Sequence, residues 1–222
     1  MIIPTLNEEK NVEMVLQKLR RLGFTNILVI DGNSRDRTVA VAKRLGAKVI
    51  HQNGKGKGDA LRQAFSHNGL DGSVVAMMDA DGSMNPEELF SFADKLQNGV
   101  DVVKGSRFID HGGSQDLTLL RRIGNKILLL LVNIFSGTEY TDLCYGFAVF
   151  RNSAIQRLYP SLRSENFEIE TEIFIKAKKL GLKVVEAPSV ELRRINGKSN
   201  LKAYIDGFRI LRTIIRESFF EN

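Results

Sequence analysis

The sequence predicts an α/β fold, a Rossmann-like and mainly parallel sheet flanked by helices, with helical elaborations towards the C-terminus. Three observations carry this expectation. Short apolar runs alternate with helix-like segments through the first hundred residues. Glycine stands where two of the helices would stop, at Gly46 and Gly181. Polar residues recur just after the apolar runs, where open α/β sheets bind their ligands.

The elements follow in order. Residues 1–3 read as a first strand cut short by Pro4, which has no amide hydrogen to give to a sheet. So short a strand predicts either a chain that begins earlier or a weak sheet edge. Residues 27–30 are a second strand ending at Asp31-Gly32, and 38–45 a helix. Residues 49–50 are a strand, 60–65 the start of a helix, and 74–78 a strand ending at Asp79. A helix over 86–96 carries Pro86 near its start and Glu87-Glu88 in its first turn, where the helix dipole favours negative charge. Residues 100–104 are a further strand. Beyond them lie a basic-then-apolar helix over 119–135, a strand over 147–150, a helix over 170–180 and a strand over 182–185. A long helix over 201–220 has apolar residues at Ile205, Phe208, Leu211, Ile214 and Ile215. There is no internal repeat and no low-complexity linker, so one domain over 1–222 is expected.

At 222 residues, 43% hydrophobic and 26% charged, the chain can build an ordinary core without disulfides or a structural metal. A lone Cys144 excludes disulfide frameworks and multi-cysteine zinc sites within the chain and fits a reducing compartment. The net charge of +6 favours an anionic partner. Residues 1–4 are too short for a signal peptide. The most apolar stretch, 127–135, is too short to span a bilayer, which takes about 20 residues. It could lie on a membrane surface, with Arg121, Arg122 and Lys126 at the headgroups, but sequence alone favours an ordinary buried helix.

The chemistry gathers at the strand ends. In Asp79-Ala80-Asp81-Gly82-Ser83, two carboxylates one residue apart follow an apolar strand. They can converge on a hard cation such as Mg²⁺ or Mn²⁺, which shares its ligands with substrate phosphates. The bland alternative is a solvated turn. Gly54-Lys55-Gly56-Lys57-Gly58 precedes a helix. Its glycines let backbone approach a phosphate and the helix start adds amides, although the Walker pattern is absent and a flexible exposed loop remains the plain alternative. Thr5 and Asn7 follow the first strand. Asp31, at the end of the second, is free to accept from a base or ribose hydroxyl, while Ser34 or Asp36 caps the next helix. Lys104, Arg107, Arg121, Arg122, Arg193, Arg194 and Lys198 form a basic set suited to phosphate, each with solvated surface charge as its alternative. His51, His67 and His111 have no metal-ligand spacing, and Cys144 reads as packing rather than a nucleophile.

Several segments occur together in a fixed order: 2–9, 31–38, Gly54 to Gly58, Asp79-Ala80-Asp81, Gly105-Ser106-Arg107-Phe108, Thr141-Asp142, Gly146-Phe147, Phe167 to Glu172, and 194–199. The set covers nearly the whole chain and resembles family 2 glycosyltransferases of the GT-A fold, in particular dolichyl-phosphate mannose synthases and polyprenyl-phosphate glucosyltransferases. The resemblance implies inverting transfer of a hexose from a nucleotide diphosphate sugar, of the UDP-glucose or GDP-mannose type, to a lipid-linked phosphate. It implies a nucleotide-sugar half over 1–110 and an acceptor half over 111–222. Pro4, Thr5, Asn7, Glu8 and Asp31 would hold the nucleoside, Lys57 the diphosphate, and Asp79, Ala80 and Asp81 the donor. Asp79 and Asp81 would also hold Mg²⁺ or Mn²⁺. Arg107, Arg122 and Arg194 would meet phosphates, and Lys198 and Ser199 would belong to a mobile loop over the site. A cytoplasmic enzyme, peripheral at the cytoplasmic face of a membrane, follows.

The chain departs from that pattern in three ways. Gly32 stands where relatives often carry a second aspartate, Ser83 stands where glutamine is frequent, so that a water completes the metal coordination, and the sequence ends at Asn222 without the C-terminal transmembrane helices of many relatives. An acceptor phosphate is already anionic and needs no strong base, whereas a hydroxyl acceptor needs one, for which Asp142 is the candidate, with a cap or turn residue as its alternative. The rival readings are a glycosyltransferase with a soluble hydroxyl acceptor, a nucleotidyltransferase, a non-catalytic sugar-nucleotide sensor, and a nucleic-acid-binding module. The last has only positive charge in its favour, and no nucleic-acid partner is expected.

Overall fold

The computed structural model describes residues 1–67, 73–197 and 199–220. The first half alternates β1 (Ile2–Thr5), α1 (Glu9–Arg21), β2 (Leu28–Asp31), α2 (Thr38–Arg44), β3 (Lys48–His51), α3 (Lys57–Phe65), β4 (Val74–Met77), α4 (Glu88–Asp94) and β5 (Val102–Ser106). The second half holds β6 (Gly113–Ser114), α5 (Leu119–Ser136), β7 (Ala148–Arg151), α6 (Asn152–Leu158), α7 (Ile169–Lys179), β8 (Val184–Pro188), β9 (Val190–Glu191) and α8 (Ala203–Phe219). Seven strands form one sheet in the order β3-β2-β1-β4-β7-β5-β8, so the sheet draws on both halves of the sequence, and β6 pairs with β9 in a small second sheet. Within the large sheet β7 is antiparallel to both its neighbours and all other pairs are parallel. This is the mainly parallel sheet expected from the alternation.

Strands in such a sheet are buried on both faces, which is why they read as continuous apolar runs rather than as alternating ones. Ile2, Ile30, Met77 and Phe150 face one core with residues of α3, α6, α7 and α8. Ile3, Val29, Met78 and Val149 face the other with residues of α1, α2 and α4. The first strand is therefore not a weak edge. It lies inside the sheet between β2 and β4, with Ile2 and Ile3 fully buried. Pro4 is tolerated because β1 meets β4 only at Ile2↔Met77, so no ladder bond is asked of its nitrogen on that side.

Helices α1 and α6 were not foreseen. The signal for α1 is present in Val12, Val15, Leu16 and Leu19, which repeat at helical spacing and are all buried. Helix α6 has only seven residues, close to the least a periodic pattern can reveal. Helix α3 begins at Lys57, three residues before the expected 60, which puts that lysine in its first turn.

Helix α8 is tied to α7 by buried charge. The Glu172 carboxylate is fully buried and accepts from the Arg163 and Ser164 amides and from Arg216 Nη2 at 2.9 Å. Lys176 reaches Glu217 at 3.1 Å. Removing Glu172 takes a buried acceptor away from the Arg163 and Ser164 amides and from Arg216 at once. The Glu172→Ala variant is expected to lose about 3 kcal/mol of unfolding free energy, measured by urea denaturation, and an unchanged midpoint would remove this network from the account of how α8 is held.

Candidate active site

Parallel register brings the strand ends to one rim. Thr5, Asp31 and His51 stand side by side at the ends of β1, β2 and β3, because Thr5 pairs with Asp31 and Asp31 with His51. Met77 is level with Ile2, so Asp79 and Asp81 emerge on the same rim. The antiparallel direction of β7 delivers to that rim the residues that precede it, Asp142 to Phe147, and Arg107 follows directly on β5.

The expectation of a free Asp31 is corrected. Its carboxylate is fully buried, Oδ1 accepts from the Thr5 hydroxyl at 3.3 Å, and Oδ2 accepts from the Ser34 amide at 2.9 Å and lies 3.6 Å from His51 Nδ1. It organises the turn beneath the site and does not line the cleft. Asn7 joins the same two loops, its amide donating to Ser34 Oγ and its Oδ1 accepting from the Arg35 amide, both at 2.8 Å. Glu8 Oε1 accepts from Arg194 at 2.8 Å, and Pro4, Thr5, Asn7 and Glu8 all line the cleft.

Lys57 lies at the centre of this rim. Its ammonium lies 2.5 Å from Asp79 Oδ1 and 2.6 Å from Glu170 Oε1. Burial opposes its charge, but Asp79 and Glu170 outweigh burial and hold the lysine protonated, well above its ordinary value. Burial pushes the Glu170 carboxyl up, with Lys57 opposing. Gly146 makes room for the pair: a Cβ there would stand 2.6 Å from Glu170 Oε1 and 2.8 Å from Lys57 Nζ.

The glycines around Lys57 serve a different end from the expected phosphate cradle. A side chain at Gly56 or Gly58 would strike the backbone of Ser164 and Glu165, and the amides of Gly58 and Asp59 donate to the Glu165 carbonyl at 2.8 and 3.1 Å. Two of the amides at the start of α3 are thus spent on the protein itself.

Asp81 is fixed by its neighbours. Oδ1 accepts from the Ser83 hydroxyl at 2.7 Å and the Ser83 amide at 3.0 Å, while Oδ2 pairs with Arg194 Nη2 at 3.0 Å. Reciprocal Asn11–Asn196 hydrogen bonds and the Glu8–Arg194 pair hold the 192–197 segment over Asp81. Arg194 and Ser199 line the cleft, whereas Lys198 lies outside the described residues. Among the described residues no three His, Cys, Asp or Glu side chains converge as metal ligands. Asp79 and Asp81 nevertheless supply hard oxygens on one rim, and each already binds a cationic group. That donor set suits Mg²⁺ or Mn²⁺, which takes one or two carboxylates and completes its shell with phosphate oxygens and water.

Asp142 is corrected as a candidate base. It is fully buried and forms a bidentate pair with Arg107, Oδ2 with Nε at 2.7 Å and Oδ1 with Nη2 at 2.9 Å. Burial disfavours its charge, but the guanidinium outweighs burial and holds the carboxyl below the usual carboxylate range. Asp142 is the anchor of Arg107, which also pairs with Glu191 at 3.1 Å and packs over the Tyr145 ring at 4.7 Å. Arg107 lines the cleft. On α5 it is Arg121 that lines the cleft; Arg122 is exposed and lies over the Phe108 ring. Burial pushes the Cys144 thiol up to about 12, so it is no nucleophile.

Lys57, Asp79, Asp81, Arg107, Glu170 and Arg194 open into one cleft of about 1190 Å³, which continues past Arg107 between α5 and α8 along Leu117, Leu120, Ile127, Leu128, Ile205 and Phe208. The helix α5 is not the buried helix that sequence favoured. Only Asn125 and Val132 are buried along it, and Leu130 and Ile134 are 61% and 63% exposed. No described helix is long and apolar enough to cross a membrane.

The cleft residues given no separate role in advance include Gln52, Glu170 and Glu191. The strand-end rule would have found Gln52, one residue past β3. The Lys57–Glu170 and Arg107–Glu191 pairs join distant segments and carry no local signal.

The chain matches glycosyl transferase family 2 over residues 1–159. It is 33% identical over 222 residues to glycosyltransferase AglJ of Haloferax volcanii, covering 100% of this chain and 72% of that protein. It is 29% identical to a dolichyl-phosphate hexose transferase of the same organism, covering 97% of this chain and 91% of that protein. Its fold is similar to that of glucosyl-3-phosphoglycerate synthase from Mycobacterium tuberculosis, solved with Mn²⁺, uridine diphosphate and glucosyl-3-phosphoglycerate. There the TM-score is 0.78 at 19% identity, covering 98% of this chain and 78% of that one. With that match over most of the chain and 33% identity along its whole length, this chain belongs to glycosyl transferase family 2.

Proposed function

We propose that this glycosyltransferase moves a hexose from a nucleotide diphosphate sugar to a polyprenyl or dolichyl phosphate, with inversion at the anomeric carbon. The observation that carries the reading is the continuity of the cleft, from an acidic, lysine-bearing rim, past buried Arg107, into an apolar groove between α5 and α8. A donor diphosphate fits the rim, an acceptor phosphate the arginines, and an isoprenoid chain the groove. The relatives' dolichyl-phosphate names support the acceptor, and the structural neighbour's Mn²⁺ and uridine diphosphate support the donor end.

In this reading Pro4, Thr5, Asn7 and Glu8 shape the nucleoside end. Asp79 and Asp81 hold Mg²⁺ or Mn²⁺, which when bound neutralises charge growing on the departing diphosphate. Lys57 contributes positive charge to the same diphosphate, and Glu170 keeps its ammonium at that position. Arg107 and Arg121 orient the acceptor phosphate in line with the anomeric carbon. With both oxygens of Asp142 committed to Arg107, the design suits a nucleophile that arrives already ionised. Arg194 and Ser199 close over the donor, and Lys198 belongs to the same loop. The exposed apolar face of α5, with Arg122 and Lys126 beside it, rests on the membrane that supplies the lipid acceptor.

Three outcomes follow. Asp79→Asn and Asp81→Asn are each expected to lower transfer about a hundredfold or more and to remove Mn²⁺-dependent nucleotide binding in calorimetry; full turnover in either variant would sink the metal assignment. Asp142→Asn should raise the acceptor KM while leaving the pH profile of kcat unchanged. A base would instead show a kcat loss of about 10²–10⁴ with one limb of the profile gone. For the membrane face, Leu130→Asp with Ile134→Asp should release the protein from floated anionic vesicles without altering its circular dichroism, and undiminished flotation would reject that surface. Throughout, the transfer assay reads released nucleoside diphosphate, since pyrophosphate would mark nucleotidyl transfer instead.

A further inference from the structure

Gln52 is a buried amide whose orientation is fixed. Its Nε2 donates to the Gly56 carbonyl at 2.7 Å and to Asp59 Oδ2 at 2.9 Å. The flipped amide would set its oxygen against two acceptors, so the hydrogen-bond partners settle which end is which. Asp59 cannot turn away freely, because Oδ2 also accepts from the Gly54 amide at 3.0 Å and Oδ1 from Arg62 at 3.2 Å. The Gln52 backbone is held as well, its amide donating to the Asp31 carbonyl at 2.8 Å.

The opposite end of the amide, Oε1, receives no hydrogen bond from any described residue and is not among the buried atoms that lack a partner. It stands beside Gly32, 3.2 Å from where a Cβ would lie there, and Gln52 and Gly32 both line the cleft at its nucleoside end with Thr5, Leu6, Asn33, Arg35 and Lys55. A rigid acceptor that reaches solvent through a binding cleft is a reader of an N–H group on a ligand. The same lining holds two cationic donors, the Arg35 guanidinium and the Lys55 ammonium, and the Asn33 amide, whose NH2 donates to the Gln52 backbone carbonyl at 3.4 Å. The carboxylates at this end are engaged: both oxygens of Asp31 below the surface, and those of Glu8 by Arg194 and Asn11.

Resting on the donor-site reading above, we propose that Gln52 reads the nucleobase through Oε1 and that the base is uracil. Uracil presents one N–H between two carbonyl oxygens, which complements one acceptor flanked by donors. Guanine presents two adjacent donors, N1–H and N2–H, a pair that a free carboxylate matches best, and the Asp31 and Glu8 carboxylates at this end are already engaged. Cytosine has no N–H at its ring N3. A site built to hydrogen-bond an N–H discriminates against an analogue lacking it, because its buried acceptor is then left unpaired.

The test is calorimetry of the whole chain with Mn²⁺ and four nucleoside diphosphates, those of uridine, guanosine, cytidine and adenosine, together with N3-methyluridine diphosphate. Uridine diphosphate is expected to bind tightest, with N3-methyluridine diphosphate and guanosine diphosphate each weaker by about tenfold or more. In Gln52→Leu the uridine and N3-methyluridine ligands should bind alike, with thermal melting as the check on folding. The wild-type comparison stands even if that variant fails to fold. Equal binding of the methylated base by the wild type, or preference for guanosine diphosphate, would overturn the assignment to Gln52 while leaving the donor site intact. If none of the five ligands bound, the donor-site reading would fall and this inference with it.

Discussion

One buried cation between two carboxylates organises the active face of this enzyme. Lys57 belongs to the first turn of α3, Asp79 to the end of β4 and Glu170 to the first turns of α7, so a single ammonium fixes three elements that are remote in sequence. An isolated charge in that position would be costly, and a lone carboxylate pair would be worse, because like charges at close range drive one of the two to take up a proton. The arrangement leaves a local excess of negative charge open to the cleft. Asp81 and Arg194 repeat the logic one step away. On the function proposed here, a further cation and a diphosphate would enter this rim together, each offsetting the charge of the other.

The second organising fact is the reversed strand. A fully parallel sheet would send the segment before β7 to the far edge, away from the site. Because β7 runs antiparallel between β4 and β5, residues 142–147 cross the rim, and that crossing brings Asp142 under Arg107, Tyr145 against its guanidinium and Gly146 beside Lys57. Lys57 and Arg107 are set by the same six residues. Any movement of that loop is felt at both side chains.

Much of this was legible in the sequence. The α/β class and the rim positions of Asp79 and Asp81 follow from local pattern, because strand ends and apolar runs are local properties. What was not legible depended on side chains meeting across the fold. Asp31 looked available because the sequence does not reveal that Thr5 and Ser34 bind it. Asp142 looked like a base because nothing near it in sequence announces Arg107, whose bidentate grip decides its ionisation. Arg121 and Arg122 are adjacent in sequence, and one step of helical rotation decides which faces the cleft. The amphipathic α5 was ambiguous in principle, since apolar periodicity looks the same whether the opposing surface is a protein core or a lipid.

Gly56 and Gly58 have a consequence for how this protein can vary. They press against the main chain of Ser164 and Glu165, and it is a carbonyl, not a side chain, that receives the amides of Gly58 and Asp59. Every residue type carries a carbonyl, so positions 164 and 165 can drift through evolution without disturbing this joint. Positions 56 and 58 cannot, because any substituent collides with backbone. The two sides of one contact therefore evolve under unequal constraint. Covariation between them would be silent even though the lysine between the glycines depends on their meeting.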